Sequence, residues 1–258
     1  MIQDKIRDAA HSVIEAKRVI SLTGAGISTP SGIPDFRSPR SGLWEQADPM
    51  VVASIWGFRA NPQAFYEWIH PLAGRILAAQ PNPAHTALAE LEAMGKMRAV
   101  ITQNIDGLHQ RAGSKRVLEL HGHLREAVCL RCGQVVSTQG LWQDFVRYRR
   151  IPRCPSCAGI LKPAAVLFGE LLPHEVFLEA QNESQSCEVM IVAGSSLEVA
   201  PASELPLLAH RAGARIILIN YQPTPFDRLA DVVIHTDVAV ALPSLVEQVR
   251  GAAGHRLP

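Results

Sequence analysis

The stretch Val19-Ile20-Ser21-Leu22-Thr23-Gly24-Ala25-Gly26-Ile27-Ser28 decides the fold class. Its first five residues are too few for a helix, and three of them, Val19, Ile20 and Leu22, are large and apolar. They read as a short strand buried on both sides. The strand runs straight into Gly24-Ala25-Gly26, where small residues allow a tight turn and close backbone approach. Working outward, Gln3 to Lys17 reads as an amphipathic helix with Ile6, Ala10, Val13 and Ile14 on one stripe. Ala84 to Met94 is a second helix, stopped by Gly95. The short apolar pattern returns at Met97–Thr102, Val117–Leu120, Glu188–Gly194, Arg215–Asn220 and Asp231–His235, with a helix-compatible stretch at Ala202–Ala212. From 38 to 80 the pattern is irregular, Trp-rich and helical in pieces. Short strands alternating with helices predict an α/β fold, a Rossmann-like parallel sheet covered on both faces.

With 258 residues, 47% of them hydrophobic and 19% charged, the chain has enough apolar material for one large core or a main domain with a small satellite. The composition excludes a disordered tail, a coiled coil and a collagen-like repeat. A net charge of +1 gives no overall field to recruit nucleic acid or an anionic membrane. No apolar run reaches the roughly 18–20 residues needed to span a bilayer, and Met1 to Asp8 leads into no signal-peptide core. A cytoplasmic location is the resulting expectation.

The cysteines divide unevenly. Cys129 and Cys132 form one Cys-x-x-Cys pair, Cys154 and Cys157 another, with 21 residues between them. A two-residue gap lets both thiolates of one turn face a single tetrahedral ion, and four thiolates leave no open position. The expectation is one structural zinc. Disulfides are disfavoured, since nothing points to export and Cys187 would be left over. Cys187 reads as a small buried apolar residue. A module of this size has too little core to fold alone, so the metal holds it together. It interrupts the α/β pattern, and a ligand is expected in the cleft between the two lobes.

Gly24-Ala25-Gly26 after the first strand is a candidate phosphate loop, but the dehydrogenase version fails. Thr29 stands at the third-glycine position, and Pro30, Gly32 and Pro34 break the helix that should follow. The segment 27–38, with Ile33-Pro34 and Phe36 beside Asp35 and Arg37, reads as a flap over a ligand or as a plain surface loop. Polar groups also follow three other strands: Gln103-Asn104-Ile105-Asp106, Gly194-Ser195-Ser196 and Asn220. Any one could be a helix cap; together they mark the strand ends where open sheets bind ligands. His121 ends a strand immediately before the cysteine module, which makes it a general-base candidate at the cleft, with a structural histidine as the alternative.

These pieces together resemble the sirtuin family of NAD-dependent protein deacylases, in its compact bacterial and archaeal form. The matching segments are Gly-Ala-Gly-Ile-Ser at 24–28, Gly-Ile-Pro-Asp-Phe-Arg-Ser at 32–38 and Thr-Gln-Asn-Ile-Asp-Gly-Leu-His at 102–109. His-Gly at 121–122, the paired cysteines, Phe-Gly-Glu at 168–170, Gly-Ser-Ser-Leu at 194–197 and Ile-Asn at 219–220 follow in order. The resemblance implies that an acyl group is removed from lysine while NAD is cleaved between nicotinamide and ribose, giving nicotinamide, free lysine and O-acyl-ADP-ribose. It implies that Gly24, Ala25, Gly26 and Ser28 line the phosphates, and that Asp35, Phe36 and Arg37 form the flexible loop, Phe36 shielding the reactive carbon. Gln103 and Asn104 then hold the ribose, and Ile105 and Asp106 receive the carboxamide. Gly194, Ser195, Ser196, Asn220, Asp237 and Val238 complete the cofactor set on the adenosine side. His121, with Asn104, is catalytic, accepting a proton from the ribose hydroxyl relay.

By the same resemblance Val166, Leu167, Phe168, Gly169 and Glu170 meet the peptide substrate, Val166 and Phe168 touching the acyl-lysine stem and the backbone around Gly169 pairing with the peptide as an added strand. Leu167 departs from the aromatic residue common in the family. Members preferring succinyl-type groups carry a Tyr-x-x-Arg pair; here Tyr66 is present but Ile69 takes the arginine place, so uncharged acyl groups are expected over succinyl. The expected division is a Rossmann-like NAD domain at 1–36, 82–123 and 162–258, a cofactor loop and helical insertion at 37–81, and a zinc module at 124–161. Partners are an acyl-lysine protein or peptide, with no membrane. Alternatives are a zinc-ribbon nucleic-acid module using Arg147, Arg149 and Arg150 beside Tyr148, a mono-ADP-ribosyltransferase, and a silent NAD sensor. The first is disfavoured because such a run is more often a solvated helix face, the last because His121 and Asn104 are intact. The sequence gives no oligomeric state.

Overall fold

The computed structural model describes residues 2–35, 42–43 and 47–254; Phe36, Arg37 and Ser38 lie outside the described residues. The strands are β1 (Val19–Thr23), β2 (Met97–Thr102), β3 (Val117–Glu119), β4 (Gly122–Cys129), β5 (Val135–Ser137), β6 (Leu161–Ala165), β7 (Val189–Ala193), β8 (Arg215–Ile219) and β9 (Val232–Ile234). Six of them form one parallel sheet in the order β3-β2-β1-β7-β8-β9. The helices are α1 (Ile2–Glu15), α2 (Pro49–Val52), α3 (Ile55–Ala60), α4 (Pro62–Ala78), α5 (Pro83–Ala93), α6 (Leu108–Arg111), α7 (Leu141–Tyr148), α8 (His174–Ser186), α9 (Leu205–Arg211) and α10 (Val238–Gly254).

The period-two alternation of the strands sorts the core into two layers. Val189, Ile191 and Ala193 of β7 face α1, α5 and α10, while Met190 and Val192 face α8 and α9. Both faces are covered, which is why β7 reads as an unbroken apolar run, Val-Met-Ile-Val-Ala, buried throughout. Where a helix over Ala202–Ala212 is expected, the chain makes a 3-10 turn at Ala202–Glu204 before α9.

A third apolar cluster joins Phe58 of α3, Phe65, Ile69 and Leu72 of α4, and Trp142 and Phe145 of α7 to Ile33 and Leu167. Beyond it, β5-β4-β6 form a small antiparallel sheet that carries the paired cysteines. Gly122 at the start of β4 pairs with Ala165 at the end of β6, so this sheet opens toward the large one.

Candidate functional site

Strand order reverses about β1, whose neighbours are β2 and β7. At such a switch point parallel strands leave a crevice beyond their carboxyl ends. A cleft of about 1180 Å3 lies there, walled by the ends of β1, β2, β7 and β8, by α4, and by the segment after β6. Among the described residues it gathers Gly24, Ala25, Gly26, Ser28, Asp35, Gln103, Asn104, Ile105, Asp106, His121, Gly194, Ser195, Ser196, Asn220, Asp237 and Val238. Val166, Leu167, Phe168, Gly169 and Glu170 line it from the other side.

The glycine loop is a backbone-on-backbone contact. The Gly26 amide donates to the Gly194 carbonyl at 2.8 Å. A methyl on Gly26 would sit 2.8 Å from that oxygen, and one on Gly194, at φ +62°, would come within 2.2 Å of the Ile27 nitrogen. No side chain fits, so bare backbone forms this wall, the surface a pyrophosphate requires. Two short 3-10 turns, Ala25–Ile27 and Thr29–Ser31, stand where a dehydrogenase would have a long helix, as the prolines dictate.

Behind the loop runs a buried polar chain. Ser28 Oγ donates to Asp106 Oδ2 at 2.7 Å and accepts from Asn104 Nδ2 at 3.1 Å. Asn104 Nδ2 also donates to the Gly24 carbonyl at 3.1 Å, and Gln103 Nε2 donates to Ser195 Oγ at 3.0 Å. Burial pushes the Asp106 carboxyl up, partly offset by bonds from the Leu108 amide and Ser28.

Two histidines that the sequence reading did not single out complete this chain. Thr23 Oγ1 donates to Thr102 Oγ1 and lies 2.9 Å from His109 Nε2; its one proton is committed, so His109 donates from Nε2. The Asn82 amide donates to His85 Nδ1 at 3.3 Å, and His85 Nε2 lies 3.4 Å from Ser28 Oγ, fixing the same tautomer. The rings meet edge to face at 4.9 Å. Burial lowers His85 to about 4 and His109 to about 3, the latter aided by His85. Asn82-Pro83-x-His85 is a readable helix start, since Asn82 caps α5 and His85 closes its capping box. His109 closes the matched segment 102–109, which does not by itself reveal the partners that set its tautomer.

His121 follows β3 and lines the cleft. Burial lowers its pKa below the usual 6.5, with a hydrogen bond to the Gln103 backbone pulling the other way, so the imidazole is neutral near pH 7. Its carbonyl accepts from the Val166 amide at 2.8 Å. The segment beyond is pinned on its other side: the Phe168 amide donates to Ala53 O at 3.0 Å, and its carbonyl accepts from Ile55 at 2.9 Å. Glu170 accepts from the Leu167 amide and pairs with buried Lys162 at 2.9 Å. On the far side the Asn220 carbonyl lies 3.0 Å from His235 Nδ1, whose Nε2 is 2.9 Å from Asp227.

The four paired cysteines bring their Sγ atoms within 4.8 Å of one another, with Cys129–Cys157 at 3.5 Å and Cys132–Cys154 at 3.7 Å. A tetrahedral zinc with bonds of about 2.3 Å spaces sulfurs by about 3.8 Å, so the cage fits that ion. Cys187 is buried, its thiol pushed up to about 12 chiefly by burial, as an inert side chain should be.

The Sir2 family model matches residues 24–201. The chain belongs to the Sir2 family. The NAD-dependent protein deacylase 2 of Archaeoglobus fulgidus is 48% identical over 250 residues, spanning 96% of this chain and 98% of the relative. The NAD-dependent protein deacetylase 1 of Pyrobaculum aerophilum is 42% identical, spanning 96% of each. A Sir2 enzyme bound to a myristoylated histone peptide superposes with a TM-score of 0.85 at 42% identity, covering 98% of this chain and 99% of that one. A Sir2 homologue mutant in complex with ADP-ribose does so at 0.90 and 37% identity, covering 97% and 99%.

Within this Sir2 cleft, Tyr66 is not a lining residue. It is buried and its hydroxyl donates to the Leu161 carbonyl at 2.5 Å, whereas Phe65, Ile69, Leu72 and Ile76 line the wall. Arg75 is the guanidinium among the described lining residues; it is exposed and also borders a shallow depression beside Pro30 and Gln80. Arg147 and Arg150 already lie 5.1 and 5.3 Å over the Tyr148 ring, which leaves it a poor stacking platform for bases. No described helix is long and apolar enough to cross a membrane.

Proposed function

We propose that the chain is an NAD-dependent protein-lysine deacylase, which releases nicotinamide, deacylated lysine and O-acyl-ADP-ribose. The observation that carries this reading is one cleft holding a side-chain-free glycine wall, a half-buried amide–carboxylate set, a neutral imidazole and an apolar wall. NAD, when bound, supplies a glycosidic bond whose breakage makes the ribose carbon an acceptor for the acyl oxygen.

The chain's own residues bind and orient. Gly24, Ala25, Gly26 and Ser28 hold the phosphates, with Asp35 at the loop's edge and Phe36 and Arg37 beyond the described residues. Gln103 and Asn104 take the ribose, and Ile105 and Asp106 the carboxamide. Gly194, Ser195, Ser196, Asn220, Asp237 and Val238 take the adenosine half. His121, neutral through burial, accepts the proton of the ribose hydroxyl. Val166 and Phe168 flank the acyl-lysine stem, while Leu167, Gly169 and Glu170 present the edge that the peptide joins as a strand. Cys129, Cys132, Cys154 and Cys157 hold one structural zinc. The corresponding division is a sheet domain at 1–36, 82–123 and 162–258, an insertion at 37–81 and a zinc module at 124–161.

Incubation with NAD and an acetyl-lysine peptide should yield O-acetyl-ADP-ribose by mass spectrometry, and His121→Ala should lower kcat by about 10²–10⁴. Nicotinamide release that needs no acylated peptide would instead favour the mono-ADP-ribosyltransferase. Uncharged acyl groups are preferred over succinyl, because Ile69 offers no partner to a carboxylate and the Tyr66 hydroxyl is engaged. Matched acetyl- and succinyl-lysine peptides should therefore differ by at least tenfold in kcat/KM, on the order of the 1.4 kcal/mol that one unpaired polar group costs. Equal turnover would overturn the preference.

A further inference from the structure

Trp56 is a large aromatic residue that is 58% exposed. It lies in the first turn of α3, whose N-cap Ser54 accepts from the Gly57 amide at 2.9 Å. Ser54 bridges to Phe168, so α3 is tied to the segment whose edge the peptide would join. The ring then lies over Gly169: a methyl there would sit 2.3 Å from Trp56 Cη2 and 2.5 Å from Cζ3. Gly169, at φ +86°, has no side chain, and the indole covers the place where one would be.

Two further exposed apolar residues, Met50 and Val51, lie on the neighbouring short helix, which packs against Gly57 through the Val51 carbonyl. Leu171, 94% exposed, stands two residues beyond Gly169 and lines the cleft. Exposed apolar side chains thus stand on α2, on α3 and just after Gly169.

On the reading that an acyl-lysine peptide pairs with residues 166–170, we propose that Trp56 is a specificity residue for the peptide itself. It selects an apolar or aromatic side chain near the acyl-lysine, at the residue that comes opposite Gly169. Gly169 stands in a turn closed by the Glu170 amide on the Leu167 carbonyl at 3.0 Å, so a peptide strand running along the segment passes over it at close range, strand partners being about 5 Å apart. Since Gly169 contributes no side chain, the ring standing in its place is what the peptide residue meets. An aliphatic or aromatic side chain buries area against the indole, whereas an acidic one is desolvated there without a partner.

The test is a set of acetyl-lysine peptides in which each position within two residues of the lysine is either Phe or Asp, assayed with NAD on the full-length chain. At one position the Phe peptide should exceed the Asp peptide in kcat/KM by about three- to tenfold, mainly through KM. Trp56→Ala should bring that ratio close to one, Trp56→Phe should keep most of it, and Asn104→Ala should lower both peptides together. Thermal melting would verify that each variant is folded. A Phe/Asp ratio that survives in folded Trp56→Ala, or no position preference in the parent chain, overturns the proposal while leaving the deacylase reading intact. A parent chain that consumes no acylated peptide overturns both.

Discussion

At the scale of single residues, the site depends on imidazoles that burial keeps neutral. In the proposed role of general base His121 must be unprotonated, and burial holds its pKa below 6.5. The acid limb of kcat/KM should therefore fall at a pH below that of a free imidazole, and a limb at or above 6.5 would show the ring to be better solvated than it is here. His85 and His109 carry the same physics into stability. Their folded values, about 4 and about 3, lie below the 6.5 of the unfolded chain. Between these limits the unfolded chain binds more protons, so stability is complete above pH 6.5 and declines as pH falls toward 4. Each proton contributes about 1.4 kcal/mol per pH unit. His109→Gln should flatten the urea-measured slope by about that amount, and an unchanged slope would locate the titration elsewhere. His121 was legible because it ends a strand beside a metal module. His109 was not, because its partners Thr23 and His85 are distant in sequence and meet it only through packing.

At the scale of elements, the turn after β1 is the most constrained piece. Gly26→Ala places a methyl against the carbonyl, Cα and carbonyl carbon of Gly194, all within 3.1 Å and all backbone. Backbone cannot rotate away, so the variant should lose about 1–3 kcal/mol of stability and bind ADP-ribose more weakly by calorimetry. Wild-type affinity at unchanged stability would contradict the close approach. This turn was readable because a buried parallel strand is an apolar run that glycine ends abruptly. Other elements carry weaker marks. Helix α8 packs Val176, Phe177 and Ala180 on the core but continues that face with Glu183 and Ser184, so its apolar stripe is only half as long as the helix; Glu183 is held by Arg98 and Arg116. Helix α10 is apolar on most sides and contains Pro243, a residue that reads as a stop. In β6 the same holds for Pro163. The insertion around α3 and α4 was legible only as irregular and helical in pieces, because its apolar residues serve a core shared with α7 and Leu167.

At the scale of the molecule, the two sheets adjoin at one short span. The last residue before β4 is His121 and the first after β6 is Val166, joined by a 2.8 Å hydrogen bond from the Val166 amide to the His121 carbonyl. Between them β4 and β6 run out to the cysteines and back, pairing Gly122 with Ala165 at one end and Cys129 with Leu161 at the other. The lobe has a small core of its own, Ala127, Cys129, Cys154 and Leu161, too little to hold antiparallel strands without the metal. Its register in turn sets how far the imidazole stands from residues 166–170, the proposed peptide edge. The glycine loop, Ser195 and Asn220 sit on the large sheet, whose core of α1, α5 and α10 is independent of the lobe. Stripping zinc with a chelator should then separate two functions. Deacylation should fail together with the circular-dichroism signal of the lobe, while ADP-ribose binding by calorimetry persists, and returning zinc should restore turnover. Full deacylation by metal-free protein would mean that the strands hold their register unaided. Loss of ADP-ribose binding along with turnover would mean that the large sheet depends on the lobe more than its packing implies.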